Sequence, residues 1–420
     1  MSFFLPFTFT LTFTLSAAAA AEEGGYYAPP LDTVEVVADH AEVTLAGIVL
    51  STVEKGRRFG VRERKGDLVG IQFLDKKNLR RGWLRPTDVK LLTDDNVDLA
   101  TEALKIAKQF NPKVDVAACR ARVDELATRV ADAARGAASP RQKALAISVQ
   151  LFRKEGFRYE ITPCTFDTVL ETKVGNCLGL SLLYLCAAEK LEMPFRLLAV
   201  PRHVLIHYDD GEAGREHPRV PARKEQFNVE PSIGGWVFVD DAYMRRMYGP
   251  PGGINWSVLS KPQALAVLHT DVGYLLAAKK DYAAAGDRFG RACEINPNFG
   301  QAYYNWGNAL TYTKQLARAC EKFARATQIH PYYADAYNNW GNALGHMGEM
   351  ESACRKYAAA VECAPRSAKA HFNWGIALLH MGKRNEAVEK FARAIELAPT
   401  LKPMVDEALG NHPTTPLQDW

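Results

Sequence analysis

Several things are scarce in this sequence. Its eight cysteines include no Cys-x-x-Cys pair, and four of them (Cys293, Cys320, Cys354, Cys363) fall in repeated helical segments. That placement argues against a disulfide framework and for packed free thiols. No charge precedes Glu22, and beyond that opening segment no apolar stretch is long enough to span a membrane. The net charge of +4 is too mild to imply a polyanion, so no nucleic-acid partner is expected. Basic residues do cluster between Lys55 and Lys90, including Arg57, Arg58, Arg62, Arg64, Arg80, Arg81 and Arg85. Solvated strand faces explain that cluster as well as an anionic partner would. The 47% hydrophobic content is that of globular protein, and 420 residues suffice for about three domains.

The uncharged start, "MSFFLPFTFTLTFTLSAAAAAEE", ends in small residues and reads as a secretory signal over residues 1–21. The expectation is an exported protein, periplasmic or extracellular, with no stable membrane insertion once the signal is cleaved.

The last third repeats. Trp306, Trp340 and Trp374 are 34 residues apart, as are Pro297, Pro331, Pro365 and Pro399, and Gly273, Gly307, Gly341 and Gly375. Paired helices at that period are the tetratricopeptide signature, giving four units over 266–400 and a tail over 401–420. Each proline ends a helix, since it lacks an N–H and clashes with the preceding turn. Small residues flank an aromatic in each second helix (Ala319, Phe323, Ala326 and their equivalents), which lets helices approach while the ring fills the gap. Such arrays hold a protein or peptide ligand in a concave groove. Asn305, Asn339 and Asn373 recur at one first-helix position, with Asn308 and Asn342 one turn later. An amide both donates and accepts, so this ladder could grip a peptide backbone; Asn as surface consensus is the other reading.

Between Asp32 and Leu92 lie short strand-like runs broken by Gly, Asp and Lys-Gly turns, among them "TVEVVA", "RFGVRER" and "LVGIQF". Five strands and a late Gly-Trp resemble a bacterial SH3-type barrel, a small all-β module over 32–92. That resemblance implies adhesion to peptides or cell-wall material.

The middle segment, 98–250, carries the chemistry. Helical patterns at Leu99–Arg135 and after Ser139-Pro140 precede "ETKVGNCLGLSLLYLCAAEKL". Leu178, Leu180, Leu182, Leu183 and Leu185 make a helix apolar on most sides, with Cys177 in its first turn. A free thiol is only about 3% ionised at pH 7. A helix N-terminus favours the anion, and its backbone N–H groups can hold an oxyanion. Cys186, nine residues on, faces the other side of the helix and is assigned to packing. In "RHVLIHYDD", His203 and His207 alternate along a strand, too far apart (about 13 Å) to share a metal ion; no metal or cofactor is expected. A returning strand, "EQFNVEP", puts Gln226, Asn228 and Glu230 on one face. A fold-back centred near residue 216 would set Glu230 opposite His203, with Asn228 as the rival partner.

The helix opening "GNC", the strand "PRHV" and the run "NVEP" resemble the transglutaminase-like family, narrowly the bacterial core joined to tetratricopeptide segments in regulator-like proteins. The resemblance implies an α+β domain with Cys177 as nucleophile, His203 as base and Glu230 where the family usually has Asp. The implied activity is amide hydrolysis or transfer through a thioester. Two readings stand: an exported cysteine hydrolase with peptide-binding repeats, or a non-catalytic scaffold in which Cys177 is filler in an apolar helix.

Overall fold

The computed structural model describes residues 32–410 apart from 46–47, 56, 76–77, 93, 95–96, 163, 201–202, 210–225, 239–240 and 249–256. The signal-like segment over 1–21 lies outside the described residues.

Seven strands form the N-terminal module: β1 (Thr33–Val36), β2 (His40–Leu45), β3 (Ile48–Glu54), β4 (Arg58–Lys65), β5 (Leu68–Asp75), β6 (Asn78–Leu84) and β7 (Val89–Leu92). Val34, Val36, Val43, Phe59, Ile71 and Phe73 fill its core. The sheet order is β3-β2-β6-β5-β4-β1-β7, with antiparallel pairing throughout its described ladders. Among the described residues no ladder joins β3 to β7, so the expected small closed barrel is not formed. There are seven strands rather than five: β3, which pairs with β2, and β7, which pairs with β1, are the additions.

The middle domain opens with α1 (Leu99–Phe110), α2 (Val116–Ala134) and α3 (Pro140–Ser148), the last running into a π-turn over Val149–Lys154. Side chains of Asp98, Asp115 and Ser139 cap these helices by accepting from a backbone N–H three residues on. Next come β8 (Arg158–Tyr159), α4 (Phe166–Thr172), β9 (Val174–Gly175) and α5 (Cys177–Glu189). The antiparallel sheet adds β10 (Phe195–Val200), β11 (His203–Asp209), β12 (Gln226–Glu230) and β13 (Trp236–Phe238), then α6 (Asp241–Tyr248) and β14 (Ser257–Leu259), in the order β13-β12-β11-β10-β14. Because β14 pairs with β10, the domain continues past the expected limit at 250. Helix α5 is buried from Leu178 to Ala188 and packs on β11.

Four helix pairs follow: α7 (Lys261–Ala278) with α8 (Tyr282–Ile295), α9 (Gly300–Tyr312) with α10 (Leu316–Ile329), α11 (Ala334–His346) with α12 (Met350–Cys363), and α13 (Ala368–His380) with α14 (Arg384–Leu397). Gly273, Gly307, Gly341 and Gly375 lie against the rings of Phe289, Phe323, Tyr357 and Phe391, where a methyl group would not fit. The segment expected as a tail begins as a helix, α15 (Lys402–Gly410), which buries Val405 and Ala408 against the last pair.

One hydrophobic core runs from the middle domain through the first repeats. The N-terminal sheet docks on the same repeats. Glu294 of α8, 1% exposed, accepts from Arg57 Nη2 at 2.7 Å and from the Leu74 N–H. Gln72 bonds to the Tyr303 hydroxyl, and Arg62 reaches the Pro297 carbonyl. Arg58 pairs with Glu35 and with Glu102 of α1. Part of the basic cluster is therefore an intramolecular docking surface rather than a solvated strand face.

Candidate active site

Cys177 lies in the first turn of α5 because Asn176 stops the preceding β9 and caps the helix, its Oδ1 accepting from the Gly179 N–H at 2.8 Å. The amide nitrogen of Asn176 donates to Asp271 of α7 at 2.9 Å, which ties the repeat array to the nucleophile helix. Burial raises the Asp271 carboxyl to about 7, against the opposing effect of that hydrogen bond.

His203 opens β11 and Glu230 closes β12. The ladder sets Ile206 opposite Val229 and His207 opposite Asn228, so Glu230 falls opposite Leu205 and not opposite His203. Diagonal neighbours on one face are about 7–8 Å apart, within reach of a long side chain. Glu230 makes that reach: His203 Nε2 donates to its carboxylate, with the two oxygens at 2.9 and 3.0 Å. The carboxylate is 1% exposed and also accepts from the Ser232 N–H (3.1 Å) and hydroxyl (2.6 Å). Ser232 stands in the 3-10 turn Pro231–Ile233 that Glu230 itself caps, and α5 packs on this turn. The rival Asn228 is engaged elsewhere, its Oδ1 lying 2.8 Å from His207 Nδ1.

Cys177 lies close enough to His203 to raise the ring's proton affinity as well. Burial disfavours the charged ring, but interaction with Cys177 and Glu230 outweighs it, and His203 rises from 6.5 to about 10. Tyr159 on β8 lies close enough to feel both Cys177 and Glu230, although burial is the main reason its hydroxyl is raised. Cys186 is buried on the other side of α5, where desolvation pushes its thiol well up and makes it inert. All eight cysteines are free. Among the described residues no three metal-ligating groups converge, and no helix is long and apolar enough to cross a membrane.

The asparagines of the array do form a ladder, but it runs from repeat to repeat. Asn305 donates to the Tyr274 hydroxyl at 2.8 Å and Asn339 to Asn308 Oδ1 at 2.8 Å. Asn373, with no exposed surface, donates to Asn342 Oδ1 at 3.0 Å. Asn342 Oδ1 also accepts from the Tyr357 hydroxyl. These amides meet each other because successive first helices stack in register. A second ladder escaped the sequence reading: Lys322, Lys356 and Lys390 lie over the rings of Trp306, Trp340 and Trp374, at 4.6, 3.5 and 4.2 Å from the centroids. Its signal, lysine at the same 34-residue period, was present. Asp271 had no such signal, since it meets Asn176 from 95 residues away.

Residues 117–261 match the profile of the transglutaminase-like superfamily, and residues 368–401 that of the tetratricopeptide repeat. The chain thus carries a transglutaminase-like domain followed by tetratricopeptide repeats. No curated protein matches it. Among solved structures it is similar to MamA, at 24% identity over 33% of this chain and 81% of that one, with a TM-score of 0.31. It is similar also to YrrB, described as a TPR protein with an unusual peptide-binding site (24% identity, 35% and 77% covered, TM-score 0.32). A third is MamA 41-end from Desulfovibrio magneticus RS-1 (25% identity, 32% and 76% covered, TM-score 0.31).

Proposed function

We propose that the protein is an exported cysteine hydrolase of transglutaminase-like type, cleaving amide bonds, with its repeats presenting a surface to a protein or peptide partner. The observation that carries this reading is the shared histidine: one ring hydrogen-bonded to a buried carboxylate and close enough to a helix-opening cysteine to be raised by it. A filler cysteine has no need of an oriented imidazole.

In the mechanism, His203 already carries the proton at neutral pH, and the Cys177 sulfur attacks the amide carbonyl as the thiolate of that pair. The Gly179 and Leu180 N–H groups are taken by Asn176, so those of Cys177 and Leu178 are the ones to hold the oxyanion. The C–N bond breaks as His203 gives the proton to the leaving amine, which leaves a thioester. Water, deprotonated by His203, releases the acid and restores the pair. Glu230 stays ionised and keeps the ring oriented.

The test is competitive alkylation of the full chain with iodoacetamide at neutral pH, read by peptide mass spectrometry. Cys177 is expected to label first, and His203→Ala to remove that preference. Labelling no faster than in a denatured control leaves a non-catalytic adaptor instead.

A further inference from the structure

The turn that carries Glu230 has a second face. Residues Ile233 to Val237 line a cleft of about 380 Å³ whose opposite wall is α3 and its π-turn. Gly234 and Gly235 hold left-handed conformations (φ 74° and 72°), and the Gly235 carbonyl accepts from the buried Ser148 hydroxyl at 2.7 Å, fixing the turn to α3. The cleft is therefore a built feature of the fold, not a gap between loops. Its apolar lining is exposed to an unusual degree: Leu145 by 56%, Ile233 by 53% and Trp236 by 44%. Two arginines, Arg141 and Arg153, stand at the same cleft. Both are exposed, and among the described residues neither has a carboxylate within ion-pair distance, whereas Arg57, Arg58, Arg64, Arg85, Arg120 and Arg129 each do.

Two unpaired guanidinium groups beside an apolar wall suit a ligand that joins a carboxylate to an apolar side chain. The cleft begins at Ile233, three residues from Glu230, so at most about 10 Å of backbone separates them. The cleft and the Glu230 carboxylate thus share one turn of the chain.

We propose that this cleft is the subsite for the C-terminal end of the substrate, taking the free carboxylate of an apolar terminal residue on Arg141 and Arg153 and its side chain on Ile233, Trp236 and Leu145. The inference rests on the hydrolase reading for its meaning as a substrate subsite, but binding can be measured without turnover. Fork-shaped guanidinium groups recognise carboxylates bidentately, which makes the terminal charge, rather than the sequence upstream, the main determinant.

The experiment uses the full chain with Cys177→Ala, so that nothing is cleaved, titrated with acetyl-Ala-Ala-Ala-Leu as the free acid and as the C-terminal amide, and read by calorimetry. The free acid is expected to bind at least about tenfold more tightly than the amide, given the strength of charge-assisted hydrogen bonds. Combined Arg141→Gln and Arg153→Gln substitution should bring the two ligands together, with the circular dichroism unchanged. Equal affinities for acid and amide in the Cys177→Ala chain, or no binding of either, overturn the subsite, and this arm needs no arginine variant to fold. A preference that survives the double substitution overturns it too. If the preference holds while wild-type Cys177 alkylates no faster than a denatured control, the cleft stands and the hydrolase reading falls.

Discussion

Replacing Glu230 by glutamine separates the charge of this carboxylate from its shape. Glu230 receives donors from His203 and from both the N–H and hydroxyl of Ser232, and is buried. The amide keeps one acceptor oxygen and sets an N–H₂ against a ring of donors. A hydrogen bond to a charged group contributes about 1.5–3 kcal/mol. At about 1.4 kcal/mol per factor of ten, His203 loses roughly ten- to hundredfold in proton affinity. Starting from about 10, the ring should then titrate at about 8 to 9. The ring therefore stays protonated at pH 7, and the effect belongs on the alkaline side of the profile. Imidazole titration by nitrogen-15 NMR on the full chain is the assay, with the pH dependence of Cys177 alkylation beside it. Glu230→Asp should behave much like the glutamine variant, because an aspartate is one methylene short of the diagonal crossing. A midpoint unmoved in Glu230→Gln would refute the claim that this carboxylate holds the ring's charge. A fall all the way to 6.5 would refute the contribution of Cys177.

Other outcomes follow from the same contacts. The folded state raises His203 above its unfolded value, so the pair's stabilisation is complete below about pH 6.5 and is lost as pH rises through about 10. Melting temperatures over that window should fall more for the wild type than for His203→Gln. A methyl group at Gly60 would run into the Ile295 carbonyl and the Pro297 ring; Gly60→Ala should lower stability by about 1–3 kcal/mol in a urea melt and loosen the β-module from the array. Asn373→Ala removes one of two donors to the buried Asn342, which keeps the Tyr357 hydroxyl, so a loss of about 0.5–1.5 kcal/mol in the same assay is expected. Lys356→Met removes the cation over Trp340 and should lower stability by about 0.5–1 kcal/mol, more at low salt than at high.

The repeats were legible in the sequence because each unit meets its neighbour in the same way, so one packing solution is written four times at a fixed spacing. Proline, glycine and aromatic positions are local demands: a helix end, a close approach, a gap to fill. The thiol at a helix start was legible for the same reason, since Asn176, Cys177 and the leucines after them act within one element. The partner of His203 was harder to read. The insert between β11 and β12 hides the register, and a displacement of two residues decides whether Glu230 faces the ring directly or crosses to it on the diagonal.

The sequence by itself determined the helix pairs, the apolar helix behind Cys177 and the order in which cysteine, histidine and acid arrive, all of which follow from local periodicity and chain order. Tertiary structure alone decided the rest. It turned the asparagines inward on each other, set Arg57 on Glu294, left the first sheet open, and brought Asp271 of the array to the cap of the nucleophile helix. Each of these depends on contacts between residues tens to hundreds of positions apart, where pairing is chosen by the shape and charge of whole surfaces and leaves no repeat or motif along the chain.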